Sequence, residues 1–249
     1  MGPIARIITG DPKSDLKANV KQALTDASII DTIFEEDTLR AEIVSASGKN
    51  EFKFQILQSN ATNPRVLERL LNVNDLAIVY AYRVSYGVNI IASPGQFAIQ
   101  TYPNIIVVPV GVLADLNDLY AFYNGSLKVV VGNVSYKDKG YPVMDCFVGA
   151  RTQETAANAQ QSSYDLNKDG FVNIAPNLIF SGREQVQLPL TLPSVAGTLL
   201  ASLDAAKELV WVLEFKCMII RNGADTVVEA NTPAGRFNGS LKQWISMYL

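Results

Sequence analysis

Apolar and polar positions follow two different periods along the chain. Three apolar residues recur at every fourth position near the start: Leu16, Val20 and Leu24. They follow Asp11-Pro12, a pair suited to the first turn of a helix, so the first element is predicted to be an amphipathic helix. In 51–57 and in 184–192 the period becomes two, because apolar side chains alternate with polar ones. This alternation is typical of strands with one buried face.

Most other apolar runs are predicted strands bounded by turn residues. Besides 51–57 and 184–192, the predicted strands are 29–34, 39–44, 75–86, 105–110, 127–131, 134–136, 141–148, 171–174, 177–180, 209–221 and 226–230. Turns at 47–50 and at Asn222-Gly223 are predicted to close hairpins. Segments 63–71 and 112–122 have helical spacing, and 152–163 is predicted to be a long polar loop.

Many short strands with few helices between them favour antiparallel sheets over a parallel α/β sheet. The chain is therefore predicted to be mainly β, with an N-terminal arm and its helix at 1–28. Two organisations stay open for the rest: two stacked barrels at 29–123 and 124–249, or one large β-sandwich over 29–249. The first rests on a repeated phrase, since Asn-Gly-Ser-Leu-Lys occurs at 124–128 and again at 238–242. Asn-Gly is also a favoured turn dipeptide, so coincidence is the alternative.

Composition narrows the classes of function. Charged residues make up 18% of the 249 residues, and the net charge is −3 without a long basic block. This argues against sequence-specific nucleic-acid binding, which depends on clustered Lys and Arg. Histidine is absent, which removes the usual Ser-His-Asp and Cys-His arrangements. Cys146 and Cys217 both lie in apolar runs and are predicted to be buried free thiols.

No residue set points to a reaction, so the chain is predicted not to be an enzyme. A glycosidase, for example, needs two convergent carboxylates, and the sequence offers no clear pair. Asp115 and Asp118 lie three residues apart in a predicted helix, which is typical of a solvated face. No apolar run reaches the length of a membrane span or of a signal peptide core. Synthesis in a cytoplasm is therefore expected.

One loop has part of a calcium-binding pattern. Asp165, Asn167 and Asp169, followed by Gly170, place oxygen ligands at the first, third and fifth positions of an EF-hand-like loop. The twelfth position is Pro176, where such loops need a bidentate carboxylate. These residues are therefore a weak Ca²⁺ candidate, and a turn rich in Asp and Asn is the alternative. No other cofactor is expected.

The first helix also carries a stripe of lysines. Lys13, Lys17 and Lys21 recur at every fourth position beside the apolar stripe. A basic amphipathic helix is typical of contact with an anionic surface, so these lysines are candidate membrane-facing residues. The alternative is a helix packed on the domain with its lysines in solvent.

Several phrases together resemble jelly-roll major capsid proteins of tailless icosahedral bacteriophages that contain a membrane. The phrases are Gln100-Thr101-Tyr102-Pro103-Asn104, residues 119–127, Asp145-Cys146-Phe147, Thr152-Gln153 and Phe180-Ser181-Gly182. The resemblance implies one or two stacked jelly-roll β-barrels that assemble into an icosahedral shell. It also implies that the chain lies in the virion as a homotrimer or larger assembly, with other virion proteins and an internal lipid membrane as partners. A carbohydrate-binding or adhesion β-sandwich is the alternative function.

Overall fold

Ten strands and three helices form the described part of the chain. The computed structural model describes residues 12–29, 34–46, 48–60, 64–97, 99–100, 113–147, 170–193, 203–232 and 235–249. The helices are α1 (Pro12–Asp26), α2 (Leu113–Tyr123) and α3 (Leu241–Ser246). The strands are β1 (Phe34–Val44), β2 (Glu51–Phe54), β3 (Leu76–Ile90), β4 (Ser126–Val131), β5 (Val134–Pro142), β6 (Val172–Ser181), β7 (Val186–Thr191), β8 (Lys207–Ile220), β9 (Val227–Thr232) and β10 (Gly235–Ser240).

The first eight strands pair antiparallel in a nested order. Strand β4 pairs with β5, β3 with β6, β2 with β7 and β1 with β8. Further pairing of β3 with β8 and of β4 with β7 gives two four-stranded sheets, ordered β1-β8-β3-β6 and β2-β7-β4-β5. The mainly β antiparallel fold predicted from the sequence is therefore confirmed, and the strand order is compatible with a jelly roll.

A single apolar core joins the two sheets. The alternation predicted for 184–192 is confirmed in β7, where Val186, Leu188 and Leu190 are all buried. They belong to the same core cluster as the inward side chains of β8. Helix α2, predicted at 112–122, packs here as well, because its Phe122 ring stacks on Trp211 with centroids 4.6 Å apart. Side chains from both sheets and from α2 thus exclude water from one interior.

An irregularity in β3 determines which of its side chains face that core. The register against β8 shifts between Val79 and Ala81, so that Tyr80 is an extra residue on the β3 side. A bulge of this kind reverses the alternation of faces along the strand. Before it, Ala77 and Val79 face the core; after it, Tyr82 and Tyr86 do. Arg83 consequently lies on the opposite, outer face of the sheet.

A second apolar cluster covers one end of the outer face of the β1-β8-β3-β6 sheet. It contains the predicted apolar stripe of α1, together with Met218 and Ile220 of β8 and Trp244 of α3. The indole of Trp244 donates a hydrogen bond of 2.8 Å to the backbone oxygen of Ala23. A capping box of Ser240 and Gln243 starts α3 where β10 ends. The two terminal helices are therefore packed together on the sheet.

Three local predictions are wrong, each because a distant strand takes the pairing. Strands β1 and β2 lie in different sheets, so the turn at 47–50 closes no hairpin. Strand β9 pairs with β10, because both edges of β8 are already occupied by β1 and β3. The segment 64–71 is not a helix, since Arg69 makes an antiparallel bridge to Arg40 and Leu71 a parallel bridge to Leu57.

Other boundaries also differ from the sequence pattern. The predicted strands 171–174 and 177–180 are one strand, β6, and residues Val143–Cys146 of the predicted strand 141–148 form a 3-10 helix. Strand β1 contains the predicted strand 39–44 and begins earlier, at Phe34, whereas residues 30–33 of the predicted strand 29–34 lie outside the described residues. The predicted strand 105–110 and the predicted loop 152–163 lie outside the described residues.

The two Asn-Gly phrases occupy unlike places. Asn124-Gly125 connects α2 to β4, whereas Asn238-Gly239 lies inside β10 and leads into α3. The repeated phrase therefore does not mark two equivalent turns of the structure. Each four-stranded sheet contains strands from both 29–123 and 124–249, so hydrogen bonding crosses the boundary between those two ranges.

We expect fragments 1–123 and 124–249 not to fold when expressed separately. Each fragment lacks strands on which its own sheets depend, since β8 supplies the neighbour of both β1 and β3. Circular dichroism and urea unfolding check this, with the full chain as the control that shows one cooperative transition. Cooperative unfolding of either fragment alone would contradict this dependence of each fragment on strands of the other.

Candidate functional site

The calcium candidate lies outside the described part of the chain. Asp165, Asn167 and Asp169 precede Gly170, the first described residue of that region. Among the described residues, no three acidic, cysteine or histidine side chains are grouped as metal ligands would be. Calcium at the Asp165 loop therefore stays a prediction.

The structure places the three lysines on the exposed side of α1. Lys13 and Lys17 both lie near the carboxylate of Glu36 on β1, at 2.7 and 3.5 Å. The hydrogen bond from Lys13 holds the pKa of Glu36 below its ordinary value. Lys21 is exposed on the same helix. Because the apolar face of α1 is already buried on the sheet, contact of this helix with a membrane would depend on charge alone.

A charged groove lies on the outer face of the β1-β8-β3-β6 sheet, beyond the part that α1 and α3 cover. We call it the sheet groove, and its volume is about 500 Å³. It is lined by Thr38, Arg40, Val66, Leu67, Glu68, Arg69, Arg83, Phe171, Glu214 and Lys216. These residues come from five separate stretches of sequence that the sheet register and the 64–71 segment bring together.

Strand register explains why the charges of the sheet groove meet. Arg40 of β1 and Arg83 of β3 are both paired opposite Glu214 of β8, so one row across three strands alternates in charge. In the next row, Thr38 lies opposite Lys216. Opposite charges at directly opposed positions of neighbouring strands attract one another. The row of Arg40, Glu214 and Arg83 forms the floor of the groove.

The carboxylate of Glu214 is nearly inaccessible and is held by two arginines. Arg83 donates to Oε2 of Glu214 from Nε at 2.7 Å and from Nη2 at 2.5 Å. Nη1 of Arg40 lies 3.7 Å from the other oxygen. A buried carboxylate without such partners would be costly, so this ion pair is a structural requirement as well as a feature of the groove.

The charge network continues from Arg40 toward the end of the sheet. Nη2 of Arg40 lies 2.6 Å from Glu42, and Nε of Arg65 lies 3.1 Å from the same carboxylate. Arg65 also pairs with Glu208 of β8, which accepts a 2.8 Å hydrogen bond from Asn89. These contacts fix the 64–71 segment against β1 and thereby form one wall of the sheet groove.

An aromatic ring and a lysine form the other side of the groove. The ammonium of Lys216 lies 4.2 Å from the centroid of the Phe171 ring, and the guanidinium carbon of Arg83 lies 4.4 Å from it. Cation–π attraction of this kind orders both cations around the ring. Among the described residues, no carboxylate lies within ion-pair distance of Lys216. The groove thus combines positive charge with an apolar surface.

The sheet groove is not apparent from local sequence patterns. Its residues are far apart in the chain, and β-strand register cannot be read from local patterns. One indication was available: charged residues interrupt the otherwise apolar β8 at Glu214 and Lys216. Charges inside a strand this apolar indicate partners on neighbouring strands.

Most of the described tyrosine and phenylalanine side chains between residues 80 and 141 belong to the core. Tyr82, Tyr86, Phe122 and Tyr123 are fully buried, whereas Tyr120 is exposed on α2. Burial, the largest influence, raises the pKa of the Tyr82 hydroxyl, which donates a 3.1 Å hydrogen bond to the backbone oxygen of Pro142. Packing therefore accounts for these rings.

Cys146 and Cys217 are free and buried, as predicted. Burial raises the pKa of each thiol to about 12. Because the thiolate is the reactive species, we expect both thiols of the native protein to resist a thiol-specific chromogenic reagent at neutral pH. Denaturant should release two reactive thiols per chain, and Cys217→Ser should halve that signal. Rapid reaction of either thiol in the native protein would show that it is accessible.

Loss of Arg83 should destabilise the protein far more than loss of a surface arginine. Arg83→Met leaves the buried Glu214 carboxylate with only its longer contact to Arg40, so we expect a cost of about 3 kcal/mol in the free energy of unfolding. Arg183→Met breaks an exposed pair with Asp225 and should cost less than about 1 kcal/mol.

The double variant Arg83→Met/Glu214→Met isolates the charge effect and should recover most of the loss, because it leaves no unpaired buried carboxylate. Urea unfolding of the parent, the two single variants and the double variant measures the cost of each change in the free energy of unfolding. Equal costs for Arg83→Met and Arg183→Met would contradict a structural role for the buried pair.

Two comparisons with known proteins give no match. Protein-family models give no match to the chain, and a search of curated proteins gives none either. Among the described residues, no helix is long and apolar enough to cross a membrane.

Proposed function

We propose that the chain is a structural virion protein, a capsid subunit that assembles with copies of itself into an icosahedral phage shell. The observation that carries this proposal is the nested pairing of eight strands in two four-stranded sheets. Jelly rolls of this strand number recur in viral capsid and lectin domains. Since a fold hosts several functions, further support must come from particular residues.

The capsid-like phrases occupy positions where the backbone is tightly constrained. At the start of β4, Gly125 accepts a 3.0 Å hydrogen bond from the backbone of Val143. A Cβ at Gly125 would lie only 2.7 Å from a Leu192 side chain. At the end of β6, a Cβ at Gly182 would lie 2.0 Å from the Asn72 backbone oxygen. These sequence phrases therefore determine how neighbouring strands are connected, as expected if the resemblance reflects a similar fold.

The described parts of these phrases also meet in space. The Tyr123 ring of the phrase 119–127 contacts the Phe147 ring of the phrase Asp145-Cys146-Phe147, with centroids 5.2 Å apart. Gln100 forms a bridge to Tyr86 on β3. Residues 101–104 and Thr152-Gln153 lie outside the described residues.

An apolar surface beside these phrases suits contact between copies. Tyr120 of α2, Met144 and Phe147 are between 38% and 47% exposed on neighbouring elements. We call them the α2 patch. Aromatic residues and Met are enriched where protein surfaces meet, since they bury large areas. In a shell subunit this patch would be covered by an adjacent copy.

The proposed shell surrounds an internal lipid membrane, and α1 is the element that would face it. Its contribution would be electrostatic, through Lys21 in particular, because Glu36 partly neutralises Lys13 and Lys17. The low proportion of charged residues in the chain is also typical of a subunit with much of its surface against neighbours.

A carbohydrate-binding or adhesion module is the second candidate, and one observation favours it. A polar groove of about 610 Å³ lies beside β7, where Gln55, Gln185, Gln187 and Lys53 offer hydrogen-bonding groups to sugar hydroxyls. None of the described residues lining it is aromatic, so it lacks a ring on which a sugar could stack. We therefore place this candidate below the capsid proposal.

The purified full-length chain should form large symmetric particles in negative-stain electron microscopy. Tyr120→Asp should reduce their yield severalfold, because burying a new carboxylate at a subunit contact is unfavourable. Gln187→Asp provides a matched control, since it adds the same charge on an exposed position outside the α2 patch. Analytical ultracentrifugation measures the assembled fraction of each protein.

A stable monomer of the parent protein that binds a defined glycan would favour the carbohydrate-binding module instead. Glycan-array binding that is lost in Gln187→Ala would locate that activity in the polar groove. Particle formation equal in Tyr120→Asp and in Gln187→Asp would exclude the α2 patch as a contact while leaving the capsid proposal standing.

A further inference from the structure

The cations around the sheet groove are not equally neutralised. Lys216 has the Phe171 ring as its neighbour and no carboxylate within ion-pair distance among the described residues. Arg69 is 69% exposed and lies 3.6 Å from Asp37, a long contact. Arg40 is paired with Glu42 through Nη2 at 2.6 Å, but its Nη1 faces Glu214 only across 3.7 Å. Three positive groups therefore border the groove with spare capacity to bind an anion.

The carboxylates of the groove are already engaged elsewhere. Glu214 receives two short hydrogen bonds from Arg83. Glu68 accepts backbone N–H groups of Glu42 at 2.8 Å and of Arg65 at 2.6 Å. Four cations and two carboxylates line the groove, so positive charge is in excess by two. An anion entering it would meet attraction from groups that keep their present partners.

The groove also offers an apolar surface next to these charges. Val66 on its rim is 73% exposed, although it is a large apolar side chain. Leu67 and the Phe171 ring line the same space. A volume of about 500 Å³ lies within the range of about 300–1,000 Å³ typical of small-molecule sites. A ligand with a negatively charged head and an apolar portion would match both features.

We propose that the sheet groove binds a phosphate group attached to an apolar moiety. Lys216, Arg69 and Arg40 supply charge-assisted hydrogen bonds to the phosphate oxygens, and Val66 and Leu67 contact the apolar portion. Guanidinium groups suit phosphate because their planar donors match its geometry, and lysine adds a point charge. The phosphate could come from a small phosphate ester in solution or from a phospholipid headgroup, since both present the same anion.

This site is separate from the lysine stripe of α1. It lies where the outer face of the sheet is charged, whereas α1 covers the apolar end of that face. Phosphate binding in the groove does not depend on shell formation either, because every lining residue belongs to one chain. The two proposals can therefore fail independently.

Calorimetric titration of the full chain with inorganic phosphate is the first test. We expect saturable binding that is about tenfold weaker in Lys216→Gln and in Arg69→Gln, because each variant removes a charge-assisted contact. Lys128→Gln removes the same charge from an exposed position of β4, in the other sheet, and should bind phosphate as the parent does. Thermal unfolding verifies that each variant is folded, and the exposure of Arg69 makes Arg69→Gln the safer of the two.

Flotation with vesicles separates the two sources of phosphate. A lipid headgroup as ligand predicts binding to phosphatidylglycerol vesicles that falls in Arg69→Gln but not in Lys128→Gln, with phosphatidylcholine vesicles as the neutral control. A soluble phosphate ester predicts groove-dependent calorimetric binding without groove-dependent flotation. The proposal is overturned if neither assay shows binding, or if all binding is unchanged in both groove variants.

Discussion

Burial of β8 on both of its faces is the constraint on which the rest of the structure depends. Its inward side chains, including Trp211 and Phe215, fill the space between the two sheets. Its outward side chains Met218 and Ile220 require a second cover, which the two terminal helices provide. Its two edges require partners as well, and β1 and β3 occupy them along almost its whole length. A strand this apolar would be prone to aggregate if any of these covers were missing, so the ends of the chain must return to the same sheet.

The sheet groove is a consequence of the same strand. Next to the part of the outer face that the two helices cover, β8 carries Glu214 and Lys216 instead of apolar residues. Glu214 is too buried to stand alone, and the bulge at Tyr80 brings Arg83 to the outer face beside it. Without that bulge, the alternation of β3 would direct Arg83 toward the core and Tyr82 toward solvent. One extra residue in a strand therefore accounts for both a filled core and a neutralised carboxylate. Lys216, in the next row of the sheet, is less neutralised than Glu214.

Local sequence patterns correctly predicted the helices and strands that bury one face, because burial of one face gives the apolar residues a regular spacing. Helix α1, helix α2 and strand β7 follow their predicted periods, and the fold class follows from the number of strands. Predictions that required knowledge of a partner strand were wrong. Leu67, Leu70 and Leu71 have helical spacing, yet the segment is not helical. Its backbone bonds to β1 at Arg69 and to the 56–58 stretch at Leu71. The sheet groove depends on the register of β1, β3 and β8 together, and no local pattern contains that information. The repeated Asn-Gly phrase suggested two related halves of the chain. The same dipeptide, however, forms the connection after α2 and also lies inside β10, so its two copies have unlike structures.

The edge of β1 bears on how copies of this chain could meet. An open strand edge invites another chain to add a strand to the sheet. Along β1, however, Arg40 exchanges two backbone hydrogen bonds with Arg69, at 2.8 and 2.9 Å. On either side of it, the N–H of Glu42 donates to Glu68, and the N–H of Thr38 donates to the carboxylate of Asp37. This part of the edge has its backbone donors satisfied within the chain. Assembly by strand addition is therefore disfavoured at this part of the edge, and contact between copies there would have to use side chains.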